Sequence, residues 1–181
     1  TDYISWEEYF MAVAQLSAKH IILATGVKKG NLYFHFASKE EIGLAILEEA
    51  RQEFFQFLTS SLQGPTPLDR LRNFFQAVLQ QQQEAEFVGG CLFGNLALEM
   101  GDGNPLFAEL IRDVFQRWAE VLTDLLAEAQ AQGQLGTAFS PELLAKQIVA
   151  LTEGGIMLAK LSKHGSDLED CFTSLQTILN I

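Results

Sequence analysis

Cysteine, proline and basic residues are all scarce in this 181-residue chain. Its two cysteines, Cys91 and Cys171, are far apart, and neither has a Cys or His beside it at metal-ligand spacing. This argues against a disulfide framework and a zinc module and leaves two buried free thiols as the plain reading, with redox sensing by Cys91 as the minor one. The four prolines fall at breaks between apolar stretches. No run approaches the length of apolar sequence that crosses a bilayer. The opening TDYISWEEYF has no basic n-region, so no signal peptide is expected, and a reducing, cytoplasmic setting fits the thiols. Alternating strand patterns are missing. So are paired catalytic groups: Glu99 and Glu153 are isolated acids on apolar helix faces, suited to hydrogen bonding in a pocket but without a catalytic partner. The reading is of a protein that is not an enzyme and needs neither cofactor nor metal.

Nearly half the residues are hydrophobic, 48%, and 14 of them are Phe, which excludes disorder. Apolar residues recur at helical spacing almost throughout. Ser38 followed by Glu41 is a capping box, and Ile42, Ala45, Ile46, Phe54, Phe57 and Leu58 predict a helix to about Ser61. Residues 64–67, Gly-Pro-Thr-Pro, break it. A second helix carries Leu68, Leu71, Phe74, Phe75, Val78 and Leu79. Gly89-Gly90 marks a bend before a short helix from about Cys91 to Met100. Asn104-Pro105 opens a long helix with Leu106, Leu110, Val114, Phe115, Trp118, Val121, Leu122 and Leu125. Ser140-Pro141 opens another with Leu144, Ile148, Leu151 and Ile156, and a last helix spans about Leu168 to Leu179. The predicted fold is all-α.

Charge is unevenly spread. The net charge is -11, yet Lys19, Lys28, Lys29 and Lys39 lie in a stretch with no Asp or Glu between them. Within it, GVKKGNLYFHFASKEE (residues 26–41) follows Ala24-Thr25-Gly26, which ends one short helix; a second spans about Lys28 to His35. Two short helices joined by a glycine-containing turn make a helix-turn-helix, whose second helix enters the major groove N-terminus first. Lys28 and Lys29 can reach guanine edges or phosphates, and Asn31 an adenine edge. Gly30 permits close approach, Tyr33 and His35 suit backbone phosphates, and Lys39 can clamp the flanking strand. Leu32 and Phe36, four apart, face the module's own core. An acidic protein can bind nucleic acid through one local basic module.

The same stretch resembles the signature of the tetracycline-repressor (TetR) family of transcriptional regulators, G-V-x-K-G-x-L-Y-x-H-F then x-S/N-K-E-x-L. It matches at Gly26, Val27, Lys29, Gly30, Leu32, Tyr33, His35, Phe36, Ser38, Lys39 and Glu40, with Ile42 for Leu. GCLFGNLALEM, the helix with Trp118, and LTEGGIMLAK resemble the ligand-binding region of one branch. The resemblance implies a helix-turn-helix module at residues 1–45 and a ligand-binding and dimerisation bundle at 46–181. It implies a homodimer formed through helices near 105–132 and 141–162, with Gly154 and Gly155 allowing close approach. The expected partners are a palindromic double-stranded DNA operator and a small apolar effector, with no membrane. The wealth of Phe in the bundle places the effector near Phe75, Cys91, Phe93, Asn95, Leu96, Trp118 and Met157.

The lead-in departs from the family. It lacks the Thr/Ser that opens the family's second helix, and TDYISWEEYFMAVAQLSAK (residues 1–19) resembles the first helix of deoxycytidylate deaminases. The H-x-E and P-C-x-x-C that such enzymes use to hold zinc are absent. A ligand-binding dimerisation module that does not bind DNA therefore stays open as the alternative function.

Overall fold

In the computed structural model the described residues are 34–180, apart from the side chain of Lys39. Six helices follow in chain order: α1 (Lys39–Ser61), α2 (Pro67–Glu84), α3 (Leu92–Met100), α4 (Pro105–Ala131), α5 (Pro141–Ser162) and α6 (Ser166–Leu179). There is no strand among the described residues. The chain divides into two compact units, Thr1–Phe54 and Phe55–Ile181, with the division inside α1.

The helix starts follow local chemistry. At α1, the Ser38 hydroxyl accepts from the Glu41 amide at 3.1 Å. The Glu41 carboxylate reaches back to the Ala37 amide at 2.6 Å, one residue earlier than in the usual reciprocal box. Thr66 caps α2, accepting from the Asp69 amide at 3.1 Å, with Pro67 at the first helical position. The Thr66 hydroxyl and the Arg72 guanidinium hold the Asp69 carboxyl below its usual range. Asn104 caps α4 through Leu106 and Phe107, and Ser140 caps α5 through Leu143. Gly133, at φ +72°, supplies the left-handed turn after α4.

In the second unit, α4 is the central strut. It packs on α2, α3 and α5, while α6 packs on α5 and α2. Its buried stripe is Phe107, Ile111, Val114, Trp118, Leu122, Leu125, Leu126 and Ala129. Leu106 and Val121, expected on that stripe, point outward instead. Phe74 and Trp118 meet edge-on with ring centroids 6.1 Å apart, and Phe75 stacks on Phe172 of α6 at 4.7 Å. These rings carry much of the core's apolar burial.

Two contacts tie α4 outward to its neighbours. The Arg117 guanidinium lies over the Phe55 ring, 4.4 Å from its centroid. Arg70 of α2 pairs with Glu128 at 2.6 Å. Both Arg70 and Glu128 are partly exposed, so this pair contributes at most about 1 kcal/mol. Gly155 is used within the chain: a β-carbon there would come 2.8 Å from Leu168 Cδ1 and 3.2 Å from Leu168 Cα, so α5 and α6 approach closely. Gly154 faces open space.

Candidate functional site: a buried acid and an aromatic core in the helical bundle

The segment between α2 and α3 bends sharply. Glu86 and Phe87 (φ 52° and 56°) and then Gly89 and Gly90 (φ 84° and 83°) are all left-handed. The first two lack glycine's freedom and are held by outside bonds. Lys163 Nζ donates to the Phe87 carbonyl at 3.1 Å, and Asn95 Nδ2 donates to the Gly89 carbonyl at 2.9 Å. Lys160 Nζ in turn donates to Asn95 Oδ1 at 3.3 Å. The C-terminal end of α5 therefore fastens this bend and sets where α3 begins.

Cys91 stands at the N-cap of α3, and its thiol donates to the Glu153 carboxylate of α5. Burial pushes the thiol well above its ordinary value, and the Glu153 charge adds to this. The Phe93 and Gly94 amides pull the other way but do not overcome it. Burial also raises Glu153, to about 7, opposed by the Cys91 bond. Gly94 is needed beside this pair, because a β-carbon there would strike Glu153 Oε2. Glu153 Oε1 and the neighbouring Thr152 Oγ1 are shielded from solvent and have no hydrogen-bond partner. Thr152 is fully buried.

Of the expected effector residues, Phe75, Phe93, Leu96 and Trp118 are buried in the bundle core. Cys91 and Asn95 lie together on the face of α3 that meets Glu153 and Lys160 of α5. Met157 is 50% exposed, on the outer side of α5 with Leu158 and Leu161. Glu99 is also exposed, whereas Glu153 is half-buried as a residue, with its carboxyl Oε1 shielded from solvent. Lys160, Gly94 and Phe172 were not foreseen. Only Glu153 had a sequence signal, an acid on an apolar helix face. Among the described residues no group of His, Cys, Asp and Glu could hold a metal ion.

Of the expected DNA-binding residues, Lys28, Lys29, Gly30, Asn31 and Tyr33 lie outside the described residues, as do residues 1–19 and their deaminase-like pattern. His35 is exposed at the end of a helix, edge-on to Phe34 with centroids 5.1 Å apart. Lys39 is the first residue of α1.

An all-helical bundle that follows a basic, aromatic segment in sequence fits the class of ligand-binding transcriptional regulators. The comparisons specify it further. Residues 67–175 match the family described as "Tetracyclin repressor-like, C-terminal domain". The transcriptional regulator AcuR of Cereibacter sphaeroides is 34% identical over 150 residues, covering 82% of this chain and 68% of that protein. The HTH-type transcriptional repressor DhaR of Mycobacterium sp. strain GP1 is 29% identical over 160 residues, covering 87% of this chain and 78% of that one. The crystal structure of a regulatory protein TetR from Rhodobacter sphaeroides superposes with a TM-score of 0.81 at 30% identity, covering 92% of this chain and 89% of that one. The chain belongs to the TetR family of transcriptional regulators. Its relatives are regulators rather than enzymes, and regulators of this family bind DNA and dimerise. No helix among the described residues is long and apolar enough to cross a membrane.

Proposed function

We propose that this protein is a cytoplasmic, effector-released repressor: a homodimer that grips a palindromic operator and lets go when a small, largely apolar molecule enters the bundle. The observation that carries this reading is the signature GVKKGNLYFHFASKEE, which runs into the first turn of α1. Lys28 and Lys29 would reach guanine edges or phosphates, and Asn31 an adenine edge or a phosphate. Gly30 would allow close approach, and Tyr33, His35 and Lys39 would hold phosphates. We assign residues 1–45 to DNA reading and 46–181 to effector binding and dimerisation.

We place the effector among the buried Phe75, Phe93, Leu96 and Trp118, with Cys91 and Asn95 of α3 as its polar neighbours. Helix α1 belongs to both units, so a displacement of its second half is carried into the first along one continuous helix. Arg117 supplies a handle, stacked on Phe55 and next in sequence to Trp118. A shift of a few ångströms would move one reading helix out of step with half-sites about 34–36 Å apart. For the dimer, α5 carries the exposed apolar face: Leu143, Met157, Leu158 and Leu161, with Gly154 open among them. Helix α4, the other helix expected at the interface, exposes only Leu106 and Val121.

Operator binding tests the reading. Lys28→Ala and Lys29→Ala should each weaken DNA binding and lower the slope of log K against log salt by about 1. Unchanged affinity and unchanged slopes in both variants would remove the assigned reading helix.

A further inference from the structure

Glu153 is a buried acid that the protein itself leaves half satisfied. Its Oε2 fills the gap left by Gly94, and the Cys91 thiol donates to the carboxylate. Its Oε1 is shielded and has no partner. Lys160, seven residues further along the same helix, directs its ammonium at Asn95 Oδ1. No ion pair to Glu153 is formed among the described residues. A buried carboxylate with an open lone pair and no countercharge is costly, and a ligand supplying both an N–H donor and positive charge removes that cost.

We propose that Glu153 anchors the head group of the effector, and that this head group is an organic ammonium carried on an apolar body. Above pH 7, where the carboxyl is charged, an alcohol or amide would fill the lone pair but leave the charge uncompensated, and a carboxylate would be repelled. The net charge of -11 favours the approach of cations. The aromatic core formed by Phe74, Phe75, Trp118 and Phe172 lies in the same bundle and suits the apolar body. This inference deepens the effector reading above and rests on it.

The test uses the full chain and primary amines from butylamine to octylamine, plus benzylamine, with benzyl alcohol and benzoate as controls. Thermal shift reads binding, and anisotropy of a labelled operator reads release. Amines should raise the Tm of the wild type and release operator, while benzyl alcohol and benzoate do neither at the same concentration. Glu153→Gln should weaken amine binding by at least about tenfold. Gly94→Ala, which pushes the carboxyl aside while keeping it in the protein, should weaken it as well. Cooperative melting of either variant shows that it is folded. The anchor is overturned if no amine binds the wild type, if benzyl alcohol binds as tightly as benzylamine, or if the folded variants bind amines like the wild type. Amine binding through Glu153 without operator release would spare the anchor and overturn the effector reading. Release by uncharged apolar compounds alone would do the opposite.

Discussion

At the scale of single residues, Glu153 should leave a pH signature. Its carboxyl titrates near 7 in the fold, above the ordinary 4.5, because burial disfavours its charge. The native state therefore binds this proton more tightly than the unfolded state does. Stability falls as pH rises from about 4.5 to 7, and the full cost, about 3 kcal/mol at most, applies above 7. Urea unfolding of Glu153→Gln at pH 5 and pH 8 should show a smaller loss between the two than the wild type shows. An equal loss would place the titration elsewhere. The residue was legible as an acid on an apolar helix face. Its partners were not: Cys91 is 62 positions earlier, and period alone does not say which helix faces which. Gly94 looked unremarkable in sequence because its role, leaving room for a carboxylate from another helix, exists only once α3 and α5 meet.

At the scale of elements, caps were the most legible feature. Ser38, Asn104 and Ser140 each precede a helix in a local pattern that needs no tertiary contact, and the helices begin where these patterns place them, while Thr66, read only as part of a break, also proves to be a cap. Thr66→Ala should lower stability by about 1 kcal/mol by freeing the Asp69 amide. The facing of α4 was less legible. It is a 27-residue helix with more apolar positions than one stripe can bury, so Phe107, Ile111 and Leu126 face the core while Leu106 and Val121 face out. The role of Gly155 was also misplaced. Assigned to an interface between chains, it serves the α5–α6 contact instead, because Leu168 occupies the space a side chain would need. Gly155→Ala should therefore destabilise the fold by about 1–3 kcal/mol in denaturant titration, whereas Gly154→Ala, with open space around it, should not. Equal effects would contradict the packing described.

At the scale of the whole molecule, the charge asymmetry and the family signature made the function legible earlier than the geometry did. A repressor keeps its positive charge where phosphates are and can be acidic elsewhere. The exposed row on α5 belongs to this scale too, because only a second copy gives it a partner in the proposed account. Replacing Leu158 and Leu161 together with Asp should convert a dimer to a monomer in light scattering and lower operator affinity in step. A dimer that survives would move the interface away from α5. The effector's chemistry was the least legible part, since it depends on which polar atoms the packed bundle leaves open.

The central claim is that the protein reads a two-fold symmetric DNA site and releases it on binding an effector. In vitro selection from a random duplex library with the purified full chain at low salt tests it most directly. Palindromes whose half-sites lie about one helical turn apart should be enriched, bound by a dimer. Binding should be lost when Lys28 and Lys29 are replaced together. Recovery of no preferred sequence, with a folded dimer and a stable bundle, would contradict it and leave a ligand-binding dimer that does not read DNA.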